Sequence, residues 1–498
     1  MPKINAKTPD SATFELLTPI EAGIADREMA ARGIPVSVLM ENAGRAVADA
    51  VAAETGYGVF VVAVAGPGDN GGDAFVAAEV LRARGYKVAL IDLSGGKGGE
   101  AASAARKGYR GTVMGPRDPS LDRADVVIDG LFGGGLSRPI EGEAAALVAR
   151  LNDLPVKVFA VDLPSGVNGA TGAADGPAVR ADRTVTFERR KPGHLLLPGR
   201  GLCGRVRVAE IGITAAALAA ARSATFANEP ALWRHAIPRI DEGAHKYARG
   251  HAVVVSGAMI ATGASRMAAM SALRAGAGLV TVASPADALL VNACHLTAVM
   301  LRRVDDAEAL ASLLQDSRLN AVCAGPGLAP DAATRDLVRA ALGSGAGVVL
   351  DAGALSAFAG SLDEFAAITH ERTVLTPHAG EFARLFGKEE DKLTDARRAA
   401  AATGAVVVYK GADTVIAAPD GRAAINFNAP PTLATAGTGD VLAGIVTAML
   451  AQGVAPFEAA AMAVWLHGDA AGRAGGAMIA EDLIEALRPT IAAFSIME

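Results

Sequence analysis

Little in this chain points to a polyanion, a disulfide framework or a bilayer. Its 47 Lys and Arg are outnumbered by 53 Asp and Glu, leaving a formal charge of −6. No surplus of positive charge is available to neutralise a nucleic-acid backbone or an anionic membrane. The cysteines Cys203, Cys294 and Cys323 are scattered, without CxxC spacing, so neither a disulfide framework nor a zinc site is signalled. No stretch reaches the roughly 18 uninterrupted apolar residues of a membrane span. The start, MPKINAKTPDSATFELL, also lacks the apolar run of a signal peptide. A cytoplasmic protein that binds neither nucleic acid nor membrane is expected. Aromatic residues make up only 4% while apolar residues make up 51%, which suits helices packed closely on sheets.

What is present is an alternation of strand and helix, twice over. In the first half, apolar runs bounded by glycine recur at 59–66, 87–93, 124–130, 156–163 and 182–187. Unalternating runs of this length read as strands buried on both faces, and the helical spacing between them implies a parallel sheet. Ahead of them, SVLMENAGRAVADAVAAE reads as a helix capped by Ser37. Strand character fades between about 213 and 235, and the boundary is set there, giving domains 1–224 and 225–498. Strands resume at 251–258, 278–285, 320–327, 347–353, 372–378 and 405–411, followed by two short runs around Asp420-Gly421, read as a two-residue hairpin turn. The fold class is α/β: a Rossmann-like three-layer αβα domain, then a second α/β domain of mainly parallel sheet.

In open α/β sheets, ligands sit beyond the carboxyl ends of strands. Three loops there in the first half combine acid with Gly, the last two with Ser as well: AGPGDNGGDAF (65–75), DGLFGGGLSRP (129–139) and VDLPSGVNGATG (161–172). Glycine-freed amides opening a helix make an anion site, with Asp73 a candidate N-cap. Asp162 suits either a turn-capping acid or a proton-transfer group. The set, from MENAG (40–44) to KPGHLLLPGRGLCGRVRVAEIGI (191–213), resembles the NAD(P)H-hydrate epimerase family. That family interconverts the two epimers of a nicotinamide cofactor hydrated at one ring carbon. The resemblance implies that Asp69, Asn70, Gly71, Gly72 and Asp73, with Gly133, Gly134, Gly135, Leu136, Ser137, Arg138 and Pro139, hold the substrate. It assigns Asp162 as general acid/base, and Asn70, Asp129 and Ser165 as ligands of K+. Two departures stand out: Asp69-Asn70 where the family has Asn-Asn, and Ala74 where a glycine is usual.

The second half carries ATAGTGDVLAG (434–444), a glycine-rich turn into a helix with Asp440 at the join. Free amides and the positive end of the helix dipole can hold a phosphoryl group. Asp440 is then either a capping aspartate or a base for a hydroxyl lying against that anion site. Lys410 reads as a strand-end lysine or a phosphate ligand, and His378 as a loop histidine or a ligand contact. With YKGADT (409–414), TPHAGEF (376–382), AGPGL (324–328) and GASRMAAMSALRAGAGLVTV (263–282), the half resembles the NAD(P)H-hydrate dehydratase branch of the ribokinase-like fold. HKYARGHAVVVSGA drifts from that branch's HKG and GGS elements. The resemblance implies that Lys410, Gly411, Ala412, Asp413, Thr414 and Gly439 meet ADP or AMP. It places Ala264, Gly327, His378 and Asp440 on the hydrated cofactor, with Asp440 catalytic and Glu381 ordering Mg2+ through water. Together the halves imply epimerisation of (R)- and (S)-NADHX and NADPHX, then ADP-dependent dehydration of the S form, with ATP as the alternative co-substrate. A homo-oligomer is expected. The rival readings are a small-molecule kinase, disfavoured because it needs no GPGDNGGD domain, and a chain with one non-catalytic half.

Overall fold

The computed structural model describes residues 14–136, 138–238, 245–388 and 390–495. The chain divides into two compact units, Glu15–Thr225 and Phe226–Glu498, with Phe14 grouped with the second.

In the first unit seven strands lie in the order Thr112–Met114, Lys87–Asp92, Phe60–Ala65, Val126–Gly130, Lys157–Val161, Arg183–Phe187 and Arg205–Ala209. All neighbours are parallel. Alternate residues of the central strand feed two cores. Val61, Ala63 and Ala65 pack with Val47, Phe75 and Leu81 on one face. Val62 and Val64 pack with Leu147, Val148 and Leu151 on the other. Helices cover both faces, completing the three layers. The two edge strands escape the apolar pattern because they are partly exposed and carry Thr112, Arg205 and Arg207.

Two expected caps are corrected. The helix Val36–Glu54 follows Pro35, whose fixed φ suits a helix start, and Ser37 lies inside the first turn. The helix Asp69–Ala83 starts after Gly68, four residues before Asp73, which is buried within it. Asp69 occupies the first helical position instead, where a negative charge meets the positive end of the dipole.

The second unit's strands run Met300–Arg303, Leu279–Ser284, His251–Val255, Ala321–Ala324, Gly347–Leu350, Thr373–Leu375 and Val406–Tyr409, all parallel. Val415–Ala417 and Ala423–Ile425 then add as an antiparallel hairpin. Its connection is Pro419-Asp420-Gly421, since the amides of Ala418 and Gly421 bond to Arg422 and Ala418 respectively. It is a three-residue loop rather than the expected two-residue one; the proline at its start fits the type I turn of such loops. Helix Thr438–Ala451 crosses helix Thr262–Arg274 at Gly444, where a Cβ would lie 2.1 Å from the Ala268 carbonyl oxygen. Only glycine permits that approach, and it seats the helix bearing Asp440 deep in the core. Among the described residues no helix is long and apolar enough to cross a membrane.

Candidate active sites

Parallel strands end at one edge, so the motif loops of each unit converge. In the first unit they surround a cavity of about 510 Å³ lined by Asp69, Asn70, Asp73, Gly133 to Leu136 and Asp162, among others. Gly71 and Gly72 are buried against Gly66 and Met40 instead, while Arg138 and Pro139 are exposed and not among the lining residues. Ser137 lies outside the described residues. The Ala74 methyl is buried against Gly130, and Asp69 is exposed at the rim.

Asp162 follows the strand Lys157–Val161 with φ +62, a left-handed conformation costing a non-glycine residue about 1 kcal/mol or more. The surroundings hold it there. Its amide donates to the Val185 carbonyl at 2.8 Å, and its carbonyl is 2.8 Å from His194 Nε2. The amide of Lys191 donates to His194 Nδ1 at 2.8 Å, so the proton of the neutral ring sits on Nε2 and is donated to Asp162. Burial, reinforced by Lys191, pushes His194 down to about 4, which keeps the ring neutral.

The Asp162 carboxylate is not a turn cap. Its Oδ1 accepts from Thr186 Oγ1 at 2.8 Å and from Lys191 Nζ in a buried ion pair. Lys191 Nζ also donates to Thr186 Oγ1 at 3.0 Å, closing a three-membered network. Burial favours the neutral acid, but Lys191, His194 and Thr186 together outweigh it and hold the carboxyl below its usual range. The result is a carboxylate ready to accept a proton.

Beside it, Asn70 Nδ2 donates to the Val161 carbonyl at 2.6 Å, tying the glycine loop to the strand that ends at Asp162. Asp129 is fully buried and accepts from the Ser165 hydroxyl at 2.6 Å and amide at 2.8 Å. Asn70, Asp129 and Ser165 thus stand at the ends of neighbouring elements. No cationic side chain pairs with Asp129 among the described residues, and burial raises its pKa.

In the second unit, Asp351 follows Gly347–Leu350, Lys410 follows Val406–Tyr409, and Asp440 sits in the first turn of Thr438–Ala451. Lys410 Nζ donates to the buried Asp351 Oδ1 at 2.7 Å. A Cβ on Gly439 would lie 3.4 Å from that ammonium, so Lys410 rests against the helix N-terminus. Gly437 reverses the chain with φ +86, and a Cβ there would meet Ala480 and Met267 at 2.9 Å. The buried His467 ring, kept neutral by burial at about 4, bonds the Thr438 carbonyl at 2.9 Å and pins this turn. No hydrogen bond engages the Asp440 carboxyl among the described residues. Burial, helped by Asp351 and opposed by Lys410, lifts it to about 6. That value suits a general base working near neutrality.

Of the KGADT residues, Thr414 Oγ1 closes the turn on the Gly411 carbonyl at 2.7 Å, and Asp413 pairs with Lys392 at 2.6 Å. Gly411 and Ala412 remain exposed at the loop tip. Ala264 lies in the first turn of Thr262–Arg274, next to the corner where Gly327 meets Ala261. His378 and Glu381 form a capping box: His378 Nδ1 accepts from the Gly380 amide at 2.9 Å, and Glu381 Oε2 from the His378 amide at 2.9 Å. His378 Nε2 lies 3.3 Å from Glu381 Oε1, and the ring is otherwise half exposed.

Comparison with known proteins now decides the family. Residues 36–193 match the family described as YjeF-related protein N-terminus, and 252–490 match NAD(P)H-hydrate dehydratase. The bifunctional NAD(P)H-hydrate repair enzyme Nnr of Moorella thermoacetica is 36% identical over 95% of this chain and 96% of its own length. The chain belongs to the bifunctional NAD(P)H-hydrate repair enzyme family. The Nnr protein of Thermofilum pendens is 37% identical over 90% of each chain. A crystal structure of the ADP/ATP-dependent NAD(P)H-hydrate dehydratase from Bacillus subtilis, co-crystallised with ATP and Mg2+, is 29% identical over 52% of this chain and 95% of that one, with a TM-score of 0.46.

For a repair enzyme of this family, the motifs left several residues unremarked. Lys191, Thr186 and His194 surround Asp162, yet none lies in a glycine loop. Asp351, Lys392 and His467 support the second site from three separate elements. Asp351 alone carried a usable signal, since it ends an apolar run as Asp162 does.

Proposed function

We propose that residues 1–224 exchange the epimers of NADHX and NADPHX at Asp162, and that residues 225–498 dehydrate the S epimer at Asp440 using ADP, releasing AMP and phosphate. The carrying observation is that each sheet edge presents one catalytic-grade carboxylate in a contrasting setting. Asp162 is held ionised by Lys191, and Asp440 is left unbonded and raised beside an anion-binding helix terminus.

In the second unit, hydroxide is a poor leaving group. Asp440 takes the proton of the substrate hydroxyl as that oxygen attacks the terminal phosphoryl group of ADP. The C–O bond then breaks with phosphate departing, the neighbouring ring carbon loses a proton, and the dihydronicotinamide is restored. Lys410, Gly439 and the amides of the first helical turn stabilise the charge on the transferring group. Gly411, Ala412, Asp413 and Thr414 form the nucleotide loop, and Ala264, Gly327 and the half-exposed ring of His378 meet the nicotinamide half. Mg2+ would accompany the phosphates, and Glu381, whose Oε2 serves the cap and whose Oε1 lies 3.3 Å from His378 Nε2, would order one of its waters.

In the first unit, a monovalent cation such as K+ would be held by Asp129, a buried carboxylate lacking a cationic partner among the described residues and bonded to Ser165, with Asn70 on the adjoining glycine loop. Hard oxygen donors of this kind suit an alkali cation, which would fix the loops around the substrate. The reading includes a cytoplasmic homo-oligomer, and sedimentation of the purified protein measures its assembly.

The test is to supply both NADHX epimers, ADP and Mg2+ and to follow NADH absorbance. NADH formation with consumption of both epimers supports the reading. Absence of NADH with ADP and with ATP refutes the dehydratase assignment, and replacement of ADP by ATP as the better substrate refutes the nucleotide assignment.

A further inference from the structure

The first unit's cavity holds a carboxyl that none of the glycine loops supplies. Helix Pro19–Ala31 turns Pro19, Ala22, Gly23 and Asp26 toward it, positions that share one helical face. Three of these are small, so Asp26 is the functional group this face offers. The helix does not use Asp26 for its own start, because Thr18 and Glu21 form a reciprocal capping box there. Among the described residues no hydrogen bond or ion pair engages the Asp26 carboxyl, whereas Asp162 is bound by Thr186 and Lys191. Two carboxyls therefore reach one cavity from a helix and from a strand end, one free and one held.

We propose that Asp26 is the second proton-transfer group of epimer exchange, serving the ring face opposite the one served by Asp162. The proposal rests on the epimerase reading of this unit. Inversion by C–O cleavage explains why two groups are needed. The hydroxyl takes a proton and leaves as water while the adjacent nitrogen lone pair forms a C=N bond. A water then adds to the other face and gives up a proton, so atoms and charge balance without a further reactant. One proton is delivered on one face and one recovered on the other, and the reverse reaction exchanges the roles. A single carboxyl fixed on one side of the ring lies within hydrogen-bond reach of only one of those oxygens.

The electrostatics agree with this division. Burial raises Asp26 to about 6; Lys191 and Arg27 pull it down, and Asp162 and Asp69 push it up. Asp73 and Glu188 also line the cavity. Asp162 is held below the ordinary range by Lys191 against its burial. Neighbouring carboxyls driven apart in this way take acid and base roles.

The experiment follows both epimers by chromatography, with Asp26→Asn and Asp26→Glu in the full chain. Asp26→Asn is expected to lower kcat for exchange by about 100-fold or more with KM within about threefold. NADH formation from the S epimer should be retained, and an unchanged thermal melt checks that the first unit is folded. Asp26→Glu should recover part of the lost rate. As the working acid of the free enzyme, Asp26 loses its proton as pH rises through about 6, so kcat/KM should fall above that pH in the native chain and lose that limb in Asp26→Asn. In water labelled with ¹⁸O, each inversion should introduce solvent oxygen into the hydroxyl. Exchange by Asp26→Asn within about fivefold of the native rate overturns the proposal, as does inversion without label. Loss expressed in KM alone overturns it in favour of a binding role. No exchange by the native chain refutes the epimerase reading itself, a result distinct from any of these.

Discussion

Asp162 and Asp440 occupy corresponding places, each beyond the carboxyl end of a parallel sheet, yet their surroundings treat them oppositely. Asp162 is fully engaged: a buried ion pair, a hydroxyl donor and a strained backbone pinned by a neutral histidine. Asp440 has no hydrogen-bond donor among the described residues, and its carboxyl is lifted to about 6. The contrast follows from what lies beside each. Lys191 belongs to Asp162, whereas Lys410 is already committed to Asp351 and left close to the helix terminus where phosphate charge would gather. Two identical side chains thus rest in opposite states, one held ionised in a buried ion pair and one lifted toward neutrality.

The sharpest test of that comparison is to remove each acid in turn. Asp440→Asn should reduce NADH formation by about 1,000-fold with epimer exchange unchanged, and Asp162→Asn should reduce exchange by about 100- to 1,000-fold while the S epimer is still consumed. Loss of both activities in either variant, read by epimer-resolved chromatography, would break the division of labour. Lys191→Met probes why Asp162 is ionised. Without the cation, burial prevails and the carboxyl titrates higher, so exchange should fall by about 10- to 100-fold at pH 7 and recover partly as pH rises. An unshifted pH profile would mean that Lys191 does not set the protonation of Asp162.

Gly437→Ala addresses the backbone of the second site. A side chain at φ +86 that also meets Ala480 and Met267 at 2.9 Å should cost about 1–3 kcal/mol in a denaturant melt of this unit. It should raise the KM for ADP more than that for NADHX; equal effects would detach the turn from the nucleotide. The smallest effect is on stability. A carboxyl raised in the folded state binds its proton more tightly there, so the contribution of Asp440 is least unfavourable below about pH 4 and worsens up to about pH 6. Asp440→Asn should therefore be more stable than the native chain at pH 7 by about 1 kcal/mol, allowing for partial exposure, and no more stable at pH 4. A difference independent of pH would show that charge is not its cause.

The sheets were readable because strands buried on both faces must be continuous apolar runs, and the ends of those runs located Asp162 and Lys410, while the TAGTGD turn was legible as a glycine-rich helix start. Strand readings ran past the true ends at 256–258, 325–327 and 376–378, because the site loops are also apolar and glycine-rich. The edge strands Thr112–Met114 and Arg205–Ala209 were missed for the opposite reason: partial exposure permits charge. The cap assigned to Ser37 failed because a proline two residues earlier in the chain already starts that helix.

Local sequence was enough to establish the alternation of strand and helix, the glycine loops and the acids they carry, since each depends on neighbours a few residues away. It could not establish the state of those acids. Lys191 meets Asp162 across 29 residues and Lys410 meets Asp351 across 59, and Asp26 reaches the cavity from a helix far from the strand edge in sequence. Protonation depends on burial and on charges within a few ångströms, and only the folded chain brings those charges together.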